Sequence, residues 1–213
     1  MDAEIDELAA AADNLTPRGT AVVFGVCGRA LAPLVEQVEQ RSGEKWTVPE
    51  LGPALDLIRA FATGSAEAEA EAEDCNWLRS RLDQAVSEDE HPWSTFAQDV
   101  LICVDAGLAA ALGDDRPQGH LIQFALEPLM AVLEDQDTDL IRIYGQRYWR
   151  RQIIKDPAVA AALSFLPELI AKASHAVSVD AHEFRALVSE AAVLRPDSPA
   201  VAGREAQTEA RCP

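Results

Sequence analysis

The stretch Thr20-Ala21-Val22-Val23-Phe24-Gly25-Val26-Cys27-Gly28-Arg29-Ala30-Leu31 decides the fold class. With the residues that follow, it places Val22, Val26, Ala30, Leu34 and Val38 at steps of four, one stripe of a buried helix. A strand is the competing reading of its Val-rich start, and Pro33 is placed to kink or divide the helix. The small residues in Gly25-Val26-Cys27-Gly28-Arg29 have neither GxGxxG spacing nor a GK[ST] ending. They read as a seam for close helix packing rather than as a phosphate cradle.

Helical spacing continues on both sides. Residues 3–14 carry Ile5, Leu8, Ala9 and Ala12 on one face. Thr47 and Glu50 have the form of a capping box, opening a helix that runs through Leu55 and Ile58 to Gly64. Residues 65–86 begin with alternating Ala and Glu, both strong helix formers, and predict a helix. An acidic connector, Ser87–Pro92, leads to an apolar helix over Trp93–Leu112. Residues 118–133 predict a helix bent at Pro128, Glu134–Asp137 a connector, and Thr138–Lys155 a single helix. Asp156-Pro157 puts an N-cap before a first-turn proline, and Asp180 with Glu183 opens a last helix. The expectation is all-α: a single bundle of about eight or nine helices over residues 1–195, with a flexible, disordered tail at 196–213.

The 213 residues are 48% hydrophobic, enough for a buried core, yet carry 36 Asp and Glu against 18 Lys and Arg. Net charge is -18. Nucleic acid and anionic membrane surfaces, which need a positive footprint, are excluded as partners of the whole surface. The N-terminus is acidic, and no run approaches the ~20 apolar residues of a bilayer span. Cys27, Cys75, Cys103 and Cys212 stand singly without a CxxC pair, and Cys27 and Cys103 read as small buried hydrophobes. A cytoplasmic location follows as the expectation.

Little in the chain has catalytic form. His91, His120, His175 and His182 are isolated, so no metal and no cofactor is expected. Ser94 and Ser164 lack a GxSxG context. Asp99 and Asp105 interrupt the apolar helix, but six residues place them ~120° apart around its axis. A buried ion pair with Arg29 or Arg59, or an exposed stripe, is the preferred account of them; a catalytic pair is the other.

Charge segregation is the informative feature. Residues 1–139 hold 28 acidic and 8 basic side chains, whereas residues 140–213 hold 8 and 10. Such runs are commonly solvated faces. Read functionally, they form a surface that steers a basic partner into contact. The candidate partner-binding residues are Glu88, Asp89 and Glu90 with Glu134, Asp135 and Asp137, because both clusters fall in expected connectors.

Three segments resemble small all-helical bacterial proteins of the polymorphic-toxin immunity type: Ala21–Val38, Trp93–Leu112 with Gln98-Asp99 and Asp105-Ala106, and Asp156–Leu163. The resemblance spans residues 17–195. It implies a cytoplasmic protein that binds and neutralises a toxin, and it assigns no functional residue. Three readings stand: an acidic immunity-type protein masking a basic toxin such as a nuclease; a helical scaffold or regulatory subunit acting as a homodimer; and an enzyme with a polar pocket built from Asp99, Asp105, Arg147 and Arg151.

Overall fold

A computed structural model describes residues 2–35, 37, 51–64, 80, 94–114, 116–175 and 179–197. Among these are nine α-helices: α1 (Asp2–Ala12), α2 (Pro17–Leu31), α3 (Leu51–Thr63), α4 (Ser94–Ala111), α5 (Glu127–Gln136), α6 (Thr138–Tyr144), α7 (Gln146–Ile153), α8 (Pro157–Ser174) and α9 (Ala181–Glu190). Short 3-10 helices cover Gly119–Ala125 and Ala191–Leu194, and no strand occurs among the described residues. The fold is all-α.

The deciding stretch is helical, and every residue from Ala21 to Gly28 is buried. A helix apolar on all sides belongs in the middle of a core. α2 accordingly packs against α3, α4, α8 and α9. The small residues set these distances. A Cβ at Gly25 would lie 2.6 Å from Ile58 Cγ2, and one at Gly28 would lie 3.0 Å from Val104 Cγ2. Only glycine lets the axes approach so closely. With the turn that follows α2, Pro17–Val35 has the length and hydropathy of a membrane span, a match not anticipated from runs of apolar residues alone. Of that window 72% is packed inside the fold, as in a core helix.

Local chemistry sets most helix ends. Thr16 accepts a hydrogen bond from Gly19 N (3.1 Å), Asp156 from Ala158 N (2.9 Å), and Asp180 from His182 N and Glu183 N (2.7 and 2.8 Å). Each fills a donor that the first helical turn leaves open. Gly64 and Gly113, at φ +64° and +77°, stop α3 and α4. Arg18 Nε donates to the Ala62 carbonyl (2.9 Å), tying α2 to the end of α3.

Three expectations are corrected. Pro128 does not bend a helix: it sits in the first turn of α5, where its missing N–H costs nothing, after a separate 3-10 segment. The Thr138–Lys155 helix is divided at Gly145, whose φ of 84° and ψ of 157° suit essentially glycine alone. Glu134, Asp135 and Gln136 are the last residues of α5 rather than a connector. The expected helix over 65–86 and the capping pair Thr47 and Glu50 lie outside the described residues, as does the tail beyond Asp197. Asp197 itself is held by Arg195 (2.5 Å) and accepts from Gln37 Nε2 (3.4 Å).

Candidate functional site

α5, α6 and α7 form a corner where the described candidate residues gather. Glu134 and Asp135 end α5 and are exposed. The backbone itself makes this corner: Gly145 N donates back to Ile141 O (2.7 Å), closing α6, and Trp149 N donates to Gly145 O (3.2 Å), opening α7. Glu134 Oε1 accepts from Gln146 Nε2 (3.0 Å), which joins the end of α5 to the start of α7. Asp137 is half-buried and has an internal task. Its Oδ2 accepts from the indole Nε1 of Trp149 (2.8 Å), a ring only 2% exposed. A buried indole N–H needs such an acceptor. Glu88, Asp89 and Glu90 lie outside the described residues.

The placement of Glu134 and Asp135 opposes the helix dipole. The C-terminus of a helix carries partial negative charge, so carboxylates there are unfavourable by roughly 0.3–1 kcal/mol each. No basic residue occupies the last turn of α5 to compensate.

Asp139 pairs with Arg142 (2.8 Å) within α6. On α7, Trp149 and Ile153 turn inward, while Arg147 and Arg151 are exposed. Beside them stand Ile143, Tyr144 and Tyr148, with 67%, 63% and 43% of their surface open to solvent. The two tyrosine rings touch, with centroids 5.1 Å apart and planes inclined at 36°. Sequence reasoning missed this patch. The available signal was Gly145, inside what reads as one helix.

Asp99 departs from both accounts of it. Arg29 is engaged by Asp56 at 2.5 Å, and Arg59 approaches the same carboxylate at 3.7 Å. Asp99 is neither paired with them nor exposed: it is 4% accessible on α4. Burial, and then the negative charge of Glu127, push its carboxyl up to about 7. Glu127, at the start of α5, is itself raised by burial, against the lowering influence of Arg150 and with a further raising one from Glu134. The nearest thiols are as apolar as expected. Cys27 and Cys103 are fully buried, and burial pushes the Cys27 thiol up to about 12 and that of Cys103 well above its usual range.

The four residues of the enzyme reading do not form one group. Asp99 shares its surroundings with Glu127; Asp105 acts on Arg116; Arg147 and Arg151 face solvent. Arg150, rather than Arg147 or Arg151, is the arginine whose charge acts on Glu127. Comparison with family models, with curated proteins and with solved structures finds no match.

Proposed function

We propose that this protein is an acidic, cytoplasmic binding protein of the immunity type, which captures a basic bacterial toxin and blocks its positively charged surface. One observation carries the reading: Glu134 and Asp135 stand exposed at the helix end where carboxylates cost stability, on a chain of net charge -18. A purely solubilising charge has cheaper places to sit. Inhibition of this kind needs no chemistry. Carboxylates occupy the cleft that would otherwise hold an anionic substrate, and the long-range field raises the rate of encounter.

The test is to express the product of the adjacent gene alone and together with this protein. Toxicity alone, relieved by co-expression, is the expected result. With the purified pair, association should slow as the Debye length falls from about 10 Å at 0.1 M salt to about 3 Å at 1 M. Glu134→Lys with Asp135→Lys should slow it by about tenfold at low salt. A neighbouring product that is harmless and does not bind defeats the proposal. So does a confirmed basic partner whose association ignores both salt and the double reversal.

A further inference from the structure

Residues 140–155 carry five basic side chains, Arg142, Arg147, Arg150, Arg151 and Lys155, and no acidic one, on a chain with 36 Asp and Glu. Two of the five are engaged inside the fold: Arg142 pairs with Asp139, and the charge of Arg150 acts on Glu127. Arg147, Arg151 and Lys155 are exposed and make no ion pair among the described residues. Arg147 and Arg151 stand one turn apart on α7, on the side away from the buried Trp149 and Ile153. Two local rules are broken here. Arg147 is the second residue of α7, at the helix end that carries partial positive charge, where a cation is unfavourable. Arg147 and Arg151 also repel each other across the turn. No described carboxylate pairs with either, although acids outnumber bases along the chain.

Charge complementarity selects the occupant. A guanidinium grips an anionic oxygen pair through two parallel N–H donors, so these arginines call for carboxylates or phosphates. A nucleic acid or an anionic membrane extends its charge well past one short helix and meets the field of a chain at net charge -18. A short carboxylate segment confines its charge to the helix face. We infer that the exposed face of α7 docks an acidic peptide segment of a partner protein, with Arg147 and Arg151 each holding one carboxylate and Lys155 extending the stripe past the helix end. The two arginines lie about 6 Å apart along the helix axis. Alternate side chains of an extended chain are about 6.6 Å apart, so a segment with acids at every second residue keeps register with both. The net charge opposes approach at long range, so binding occurs at physiological salt, where screening within about 8 Å leaves the local pattern. The inference does not rest on the immunity reading, since it uses the opposite charge on a different helix.

Fluorescence anisotropy of a short labelled peptide of alternating Glu and Ser, titrated with the full chain at physiological salt, should show saturable binding. The same peptide with Gln in place of Glu should not bind. Arg147→Gln with Arg151→Gln should weaken binding by about tenfold or more, and Arg147→Glu with Arg151→Glu should abolish it. The glutamine pair removes a repulsion from exposed positions, so helicity by circular dichroism should hold and the loss cannot come from unfolding. Lack of saturable binding overturns the inference, as does binding indifferent to both arginine pairs. So does a single-stranded oligonucleotide or an anionic phospholipid vesicle that binds the same arginines as tightly as the peptide, or sedimentation showing that copies of this chain associate through them. Glu134→Lys with Asp135→Lys should leave peptide binding in place or tighten it while defeating a basic partner, which separates this inference from the proposed function.

Discussion

Asp99→Asn isolates a single buried carboxyl. In the unfolded chain Asp99 titrates near 3.8; in the fold, burial and then Glu127 raise it to about 7. Below pH 3.8 the group is protonated in both states and costs nothing electrostatically. As pH rises, the unfolded chain loses its proton first, so stability falls by roughly 1.4 kcal/mol per pH unit until the folded group also ionises. A gap of about three units corresponds to a total loss of up to about 4 kcal/mol, and a group 4% exposed warrants little discount for solvent. Asparagine has nearly the same shape and no charge. Its amide hydrogens, if left without partners, add a constant penalty.

Urea unfolding followed by circular dichroism, for wild type and variant across pH 4 to 8 in the range set by these two values, reads the difference directly. The titration of the other carboxylates largely cancels in that difference. The variant should gain on the wild type as pH rises, levelling above about 7. Of the groups that act with Asp99, the buried Cys103 thiol is raised well above its usual range, whereas the negative charge of Glu127 raises Asp99 itself. Glu127→Gln should therefore shift the profile to slightly lower pH. A stability difference that is flat from pH 4 to 8 refutes the reasoning, because an ionised Asp99 would then be matched within the fold.

Two further substitutions test local packing. A Cβ at Gly119 would overlap the Ala9 carbonyl oxygen and lie 2.6 Å from Asp13 Oδ1, the atom that accepts the Gly119 N–H; Gly119→Ala should cost about 3 kcal/mol or more in chemical denaturation. Gly52→Ala meets nothing within 4 Å and should instead stabilise α3 by up to about 1 kcal/mol. Asp137→Ala strips the acceptor from the Trp149 indole and should cost about 1–3 kcal/mol, whereas Asp137→Asn keeps an acceptor oxygen and should cost much less; equal losses would refute that role.

What was legible in the sequence was local. The caps at Asp156 and Asp180 and the stops at Gly64 and Gly113 act over a few residues, and each is where the spacing places it. The stripe through Val22, Val26 and Ala30 was legible because burial on all sides leaves few alternatives for a helix of that composition. Gly145 was not. Leu140, Tyr144 and Tyr148 continue at steps of four across it, so hydropathy reads one helix, and only the backbone at φ 84° redirects the chain and leaves both tyrosines exposed. Asp99 failed for another reason. Whether a buried acid finds a cation depends on contacts made far along the chain, and here Arg29 is claimed by Asp56 instead.

Asp99 and the pair Glu134 and Asp135 both break a local rule, and they do so in different ways. An acid in an apolar helix resolves its own conflict by holding a proton near neutral pH, so its presence on α4 needs no partner, substrate or reaction to account for it. Glu134 and Asp135 are a different case: they are exposed, and they stand at the negative end of α5. Natural chains accept a local cost of that sort chiefly where something outside the fold repays it. Between the two anomalies, the surface one therefore carries the functional reading.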